Sequence, residues 1–159
     1  MSKIYLYVNG DGWQEFDRSD AKELEKRNIT IGDNVTIGNG VKIGDNVTIE
    51  DYVYIGNGVY IGYYVTIEDG VKIEDGVKIG NDVYIGYYVY IGNGVYIESN
   101  VKIGDNVYIG NRVKIGIGVY IKDNVNIEDD VYIGNRVKIG NGVYIKDNVR
   151  IENGANVSL

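Results

Sequence analysis

The chain has 159 residues, 44% of them hydrophobic and 25% charged, which is enough for one domain with a sizeable core. It contains no proline, cysteine or histidine, so disulfides, thiolate nucleophiles, Cys/His zinc sites and imidazole acid/base chemistry are excluded. The formal net charge of -7 argues against nucleic acid as a partner, because that affinity rests on basic side chains that release counterions.

Residues 1–30 do not follow the repeat of the later chain and form the first predicted unit, a cap. The segment KIYLYV alternates like a strand, NGDG is typical of a turn, and WQEF predicts the returning strand of a hairpin. The segment DRSDAKELEKRN then predicts a short helix capped by Asp17 or Ser19. The sequence shows no signal-peptide pattern and no apolar run of membrane-spanning length. We therefore expect a cytoplasmic location and no membrane partner.

Residues 31–159 form the second predicted unit, which is built from a six-residue repeat. From Ile31 to Arg150, 20 consecutive hexads read Ile-x-x-x-Val-x, and a degenerate unit follows them. Val-x-Ile alternates with the period of a strand and the next three residues are typical of turns, so each hexad predicts one short strand and one corner. Among 21 copies of the fourth position, eight are Gly, six Asn and two Asp, which predicts a positive φ at every corner.

This pattern resembles the hexapeptide-repeat proteins over about residues 31–157. The resemblance implies a left-handed parallel β-helix in which three hexads make one triangular coil. The expected fold is an all-β solenoid of about seven coils with a small hairpin-plus-helix cap at its N-terminal end. Most enzymes of this family are acyltransferases that bind an acyl donor at the interfaces of a trimer, usually with a histidine as general base. A histidine-based site cannot be assembled from this chain.

The outward residues of the hexads fall into three columns, one for each expected face of the prism. The second column begins at Thr36 and the third at Thr48, and neither alternates strictly. A tyrosine between two lysines can stabilise a face through cation–π contacts of about 0.5 to 1 kcal/mol, or it can serve recognition of carbohydrate, protein or another copy. Both interpretations stay open for the first column. That column alternates cation and aromatic and is the candidate recognition ladder: Lys42, Tyr60, Lys78, Tyr96, Lys114, Tyr132 and Arg150.

Two further groups depart from the repeat at the corners. The pairs Glu50–Asp51 and Glu68–Asp69 lie one coil apart, either as a solvated acidic corner or as a site for a hard cation. Large residues replace the usual Gly, Asn or Asp and indicate either tolerated strain or protrusion into a neighbour. They are Tyr52, Tyr63, Tyr64, Tyr87, Tyr88, Arg112, Ile117 and Arg136.

The sequence leads to three functional hypotheses. The favoured one is a non-catalytic scaffold without cofactor or metal, which associates with itself as a trimer or end to end, or binds an unknown protein. Its contact surfaces would be the tyrosine-rich faces or the open coil at the C-terminal end. The second hypothesis is a transferase-like protein that binds an acyl donor at trimer interfaces. The third is an idealised or designed sequence without a biological function, because the repeat is so uniform.

Overall fold

Short strands recur every six residues along the chain, and each joins one of three sheets. The computed structural model describes residues 3–159. Numbered in chain order, the strands of the first face are β1 (Lys3–Val8), β2 (Gly12–Asp17), β5 (Val41–Ile43), β8 (Tyr60–Ile61), β11 (Lys78–Ile79), β14 (Tyr96–Ile97), β17 (Lys114–Ile115), β20 (Tyr132–Ile133) and β23 (Arg150–Ile151). The second face contains β4 (Thr36–Ile37), β7 (Tyr54–Ile55), β10 (Lys72–Ile73), β13 (Tyr90–Ile91), β16 (Tyr108–Ile109), β19 (Asn126–Ile127) and β22 (Tyr144–Ile145). The third face contains β3 (Thr30–Ile31), β6 (Thr48–Ile49), β9 (Thr66–Ile67), β12 (Tyr84–Ile85), β15 (Lys102–Ile103), β18 (Tyr120–Ile121), β21 (Lys138–Ile139) and β24 (Asn156–Val157).

Each repeat strand pairs in parallel with the strand one coil later, so identical repeat positions stack in columns. In the first face, for example, Lys78 lies opposite Tyr96 and Ile79 opposite Ile97. This arrangement confirms the predicted left-handed parallel β-helix of about seven triangular coils. Within residues 3–159, no helix is long and apolar enough to cross a membrane.

The chain passes the three faces in the order second, first, third, and we name each corner by the two faces it joins. Residues 38–40 belong to the second–first corner, 44–46 to the first–third corner and 50–52 to the third–second corner. The predicted positive φ is confirmed at all 21 fourth positions, with values between 54° and 74°. The repeat geometry begins slightly earlier than predicted, because Asn28 also has a φ of 54°. The division of the chain at residue 30 therefore stays a prediction.

The interior is filled by the isoleucines and valines of the repeat. Ile79 and Ile97, like most of their equivalents, are completely inaccessible to solvent. Burying one such side chain contributes about 1.5 to 3 kcal/mol. The interior is less well covered at both ends, where Ile31 is half-buried and Val149 is 37% exposed. The two repeating apolar positions thus account for the interior of the repeats, and Ile4 and Leu6 of β1 extend this core into the cap.

A second repeating interaction holds the corners together. At the third hexad position, the Oδ1 atom of an Asn or Asp accepts a hydrogen bond from the backbone N–H of the residue one coil earlier. Asn57 accepts in this way from Asn39 at 2.8 Å, and Asp75 accepts from Asn57 at 2.8 Å. This series, which we call the corner ladder, satisfies backbone donors that the short strands leave unpaired. It explains why this position is so often Asn or Asp.

The cap consists of the predicted hairpin and one helix, α1 (Ala21–Lys26). β1 pairs with β2 in antiparallel orientation and with β5 in parallel orientation, so the hairpin extends the first face. The predicted capping residues of α1 are wrong. Asp20 is the N-cap and accepts from the backbone N–H of Glu23, because the Asp17 carboxylate is already bonded to both the N–H and the hydroxyl of Ser19.

Candidate functional site on the first face

The first face carries all seven residues of the predicted ladder on adjacent strands. Pairing of β1 with β5 adds Tyr5 opposite Lys42, so the alternation of aromatic and cation extends into the cap. The sequence analysis missed Tyr5, although the alternation of KIYLYV placed it on a strand. We call this set of eight residues, Tyr5 with the seven predicted ones, the Lys/Tyr column.

The cations of the column lie over the faces of the aromatic rings. The Nζ atoms of Lys78 and Lys114 each lie 5.8 Å from the centre of the Tyr96 ring. Tyr132 lies between Lys114, at 5.9 Å, and the guanidinium of Arg150, at 4.2 Å. At exposed sites, each such contact contributes about 0.5 to 1 kcal/mol. Because cations occupy both ring faces, Tyr96 and Tyr132 present their edges to solvent and are poor platforms for stacking a sugar.

The cap covers the upper end of the column with an aromatic cluster. The Trp13 ring packs edge to face against Tyr7 and Tyr60, with ring centres 5.6 Å apart in both pairs. The ammonium of Lys42 lies 5.9 Å from the centre of the Trp13 ring. The hairpin therefore fixes the position of Lys42 and Tyr60 as well as protecting the edge of the first face. The sequence offered little signal for this contact, since Trp13 and Tyr60 are far apart in the chain.

A shallow groove of about 530 Å³ lies beside the column. Its charged lining residues are Lys42 and Lys78, and its aromatic ones are Tyr60 and Tyr96. One rim is formed by glycines of the second–first corner, and a Cβ atom added at Gly58 would meet no atom within 4 Å. The groove therefore combines two ammonium groups and two phenols with an open side.

The predicted carboxylate pairs are part of the framework. Asp51 accepts from the backbone N–H of Asp33, and Asp69 accepts from that of Asp51, so both belong to the corner ladder. Glu68 accepts a hydrogen bond from the Tyr84 hydroxyl at 3.0 Å. Burial, reinforced by this hydrogen bond to Glu68, raises the pKa of Tyr84 to about 12. Among residues 3–159, no cluster of acidic side chains has an arrangement that could hold a metal ion.

The Tyr84–Glu68 contact recurs wherever a tyrosine follows a glutamate by 16 residues. Tyr90 donates to Glu74 at 3.1 Å, and Tyr144 donates to Glu128. Burial is the main cause of the raised pKa of Tyr90, and the hydrogen bond to Glu128 is the main cause of the raised pKa of Tyr144. The 16-residue spacing was visible in the sequence and was missed. These pairs keep the tyrosines protonated and are not candidates for a general base.

Large residues at the fourth corner position adopt the positive φ normally reserved for glycine. Tyr52, Tyr64 and Tyr88 have φ between 57° and 60°, and all three are more than 60% exposed. The Tyr88 side chain turns back over the preceding coil, since a Cβ added at Gly70 would lie 2.6 Å from Cδ1 of Tyr88. The structure thus shows strain and exposure together at these corners.

Two protein-family models match the repeat region of the chain. The model described as bacterial transferase hexapeptide (six repeats) matches residues 28–63, 76–116, 112–147 and 124–158. The model described as hexapeptide repeat of succinyl-transferase matches residues 52–87. The chain belongs to the bacterial transferase hexapeptide family. A search of curated protein sequences gives no match.

Two solved structures of acyltransferases share the fold of this hexapeptide-family protein. The UDP-N-acetylglucosamine acyltransferase of Francisella novicida aligns with a TM-score of 0.64 and 22% identity, over 82% of this chain and 54% of the other. The acetyltransferase domain of PglB from Neisseria gonorrhoeae aligns with a TM-score of 0.52 and 16% identity, over 79% of this chain and 51% of the other. The hexapeptide-family protein therefore spans about half the length of these two structures.

These comparisons correct the functional hypothesis. The matching family is one of transferases, and the similar folds are acyltransferases, so the interpretation as a non-catalytic scaffold and the expectation of a non-enzyme are wrong. The absence of histidine had favoured the scaffold. The absence of one type of base, however, does not exclude a transferase. The findings favour the transferase-like alternative over the scaffold.

Proposed function

We propose that this protein is a transferase-like member of its family that binds an acyl donor in the clefts between the prisms of a trimer. The match to the transferase hexapeptide models along residues 28–158 carries the proposal. Proteins of this family typically form trimers, which would place the exposed faces of neighbouring prisms opposite each other. The groove on the first face is the surface that fits such a ligand.

The chemistry of the groove supports a phosphate-bearing donor such as an acyl-CoA. Within residues 3–159, the groove lining includes two ammonium groups, from Lys42 and Lys78, and no carboxylate. Lysine ammonium groups bind phosphate as point charges, and phenol hydroxyls add hydrogen-bond donors. A local cationic surface on a chain of net charge -7 selects for an anionic ligand at this face.

The transfer step requires a proton acceptor for the attacking amine or hydroxyl. In a chain without histidine, Asp and Glu are the side chains that are unprotonated at neutral pH, and because the groove lining has neither, the base must come from outside that lining. We therefore expect acyl transfer to persist on acidification until roughly pH 4, where Asp and Glu protonate, instead of declining near the histidine pKa of about 6.5. A rate that halves near neutrality would contradict a carboxylate as the base.

Titration with acetyl-CoA tests donor binding directly. Calorimetry and thermal shift should detect saturable binding to the wild type, and the double variant Lys42→Gln/Lys78→Gln should weaken it at least about tenfold. The matched control is Lys102→Gln on the third face, because Lys102 also lies between two tyrosines, at 5.8 Å from Tyr84 and 5.4 Å from Tyr120. If Lys102→Gln weakens acetyl-CoA binding to the same extent, the groove on the first face is not the donor site. No binding to the wild type at millimolar acetyl-CoA would overturn the proposal itself.

A further inference from the structure

The first–third corner carries bulky residues that weaken the isolated prism. Tyr64 holds a φ of 59° and is 62% exposed. Tyr63 and Ile117 replace the Asn or Asp of the corner ladder, so among the described residues the backbone N–H groups of Asp45 and Ser99 have no acceptor one coil later. A positive φ at tyrosine and a missing hydrogen bond both destabilise the fold. Tyr63 is half-buried in its own prism, whereas Tyr64 and Ile117, at 62% and 43% exposed, leave apolar surface open for a contact outside it.

We propose that the first–third corner of one subunit packs against the first face of the next in a threefold ring, with Tyr64 closing the neighbour's groove. The proposal rests on the proposed function for the trimer and for the groove. It adds the pair of surfaces in contact and the side chain that closes the groove.

Threefold symmetry restricts which surfaces can meet. In a closed ring of three, each subunit contacts its two neighbours in directions roughly 60° apart around its own axis. In a triangular prism, the centre of a face and the adjoining corner are separated by this same angle. If the prism axes are parallel and a corner of one subunit sits on a face of the next, that face therefore adjoins the same corner, and six such combinations exist.

Side chains at matching heights distinguish the six combinations. Cyclic symmetry involves no shift along the axis, so residues at the same height on the two surfaces face each other. Each fourth position of the first–third corner follows a member of the Lys/Tyr column by four residues, which is an axial rise of about 1 Å. The pairs brought to equal height include Tyr64 with Tyr60, Asp82 with Lys78, and Arg136 with Tyr132.

These pairs are complementary in charge and shape. Asp82 and Lys78 form an ion pair between subunits, and Arg136 lies over the ring edge of Tyr132. Of the six combinations, this is the one in which a fourth corner position places a carboxylate level with a lysine. In the second–first corner the residue level with Lys72 or Lys78 is Gly76. In the third–second corner the residues level with Lys102 and Lys138 are Asn106 and Gly142.

Tyr64 reaches the groove at the required height. The large residues at fourth positions turn back over the preceding coil, as Tyr88 does over Gly70 and Arg136 does over Gly118. The same turn places the ring of Tyr64 between the levels of Lys42 and Tyr60, where the neighbour's groove lies. The glycine rim of the second–first corner leaves this entry open.

Sedimentation equilibrium of the full chain tests the interface with a matched pair of variants. Tyr64→Asn and Tyr88→Asn each replace an exposed tyrosine at positive φ, 62% and 66% exposed, with the residue most suited to that backbone. Both should therefore raise the melting temperature of the isolated prism. Only Tyr64→Asn should raise the concentration at which the trimer half-dissociates, by at least about tenfold.

A charge exchange tests the register. Asp82→Lys should weaken the trimer, and the double variant Asp82→Lys/Lys78→Glu should restore it towards wild type. A wild type that stays monomeric overturns the proposal, and so does a trimer that is equally stable in Tyr64→Asn. Equal weakening in Tyr88→Asn would also overturn it, because that residue lies on another corner.

The same samples titrated with acetyl-CoA separate this proposal from the one on which it rests. If the substitutions at Tyr64 and Asp82 weaken the trimer as described but the protein binds no acetyl-CoA, the interface is supported and the proposed donor is contradicted. If the protein binds acetyl-CoA but neither substitution changes its assembly, the interface is contradicted and the proposed donor is supported.

Discussion

Two corners of this prism are built from the same repeat and differ in how completely they follow it. The second–first corner has Asn or Asp at every third position, and its ladder runs without interruption from Asn39 to Asp147. The first–third corner loses two of its bonds, at Tyr63 and Ile117. The interior beneath both is the same. The difference teaches that the fold tolerates missing bonds in the corner ladder, because the interior alone is enough to hold the coils together at these levels.

The largest losses of stability should come from truncation of interior side chains, and the losses should be the same beneath both corners. Ile91 precedes the second–first corner and Ile97 the first–third corner, and both are fully buried. Truncation of either to alanine should lower the free energy of unfolding by about 2 to 5 kcal/mol. Chemical denaturation of the two variants measures this. A much smaller loss for Ile97→Ala would mean that the interrupted corner also has a looser interior.

Backbone strain should give the next largest effect. Gly58 has a φ of 66°, and a Cβ there would meet no atom, so only the backbone conformation opposes substitution. Gly58→Val should destabilise the prism by about 1 to 3 kcal/mol, because a β-branched residue fits this φ poorly. Gly58→Asn is the control and should be almost neutral. Equal melting temperatures for the two variants would contradict the assignment of this corner.

One substitution in the corner ladder at each of the two corners should change stability in opposite directions. Asn57→Ala removes the acceptor of the Asn39 N–H and should destabilise by about 1 kcal/mol. Ile117→Asn supplies an acceptor for the Ser99 N–H and should stabilise by a similar amount. Denaturation at concentrations where the chain is monomeric separates this gain from assembly. If Ile117→Asn lowers stability, Ile117 has a packing role within its own prism.

The smallest effect should appear at alkaline pH on the third face. The pKa of Tyr84 is about 12 in the folded protein against an ordinary value of 10.0, so the folded state holds this proton more tightly than the unfolded state. The stabilisation is complete below pH 10 and is lost as the pH rises towards 12. The melting temperature of the wild type should therefore fall more steeply across this window than that of Tyr84→Phe. Identical slopes for the two proteins would contradict the raised pKa.

The sequence predicted the fold because its signals repeat. A positive φ at one corner would be weak evidence, but Gly, Asn or Asp at most of the fourth positions requires the same turn throughout. The corner ladder was missed because Asn and Asp were interpreted as turn residues alone, and the acceptor role of Asn57 depends on a neighbour one coil away. The Tyr84–Glu68 contact was missed for the same reason. The seven residues of the predicted ladder do share a face, and their role in recognition stays a prediction.

By itself, the sequence determined the coil, because an isoleucine and a valine in every hexad leave only a prism in which both can be buried. It also determined which side chains point outward, because that follows from strand alternation. Only the tertiary structure decided which residues those side chains contact. Trp13 reaches Tyr60 because the hairpin joins the first face, and the groove beside Lys42 is open because its rim is glycine. Such contacts depend on where stacking brings distant coils together, which a local pattern does not encode.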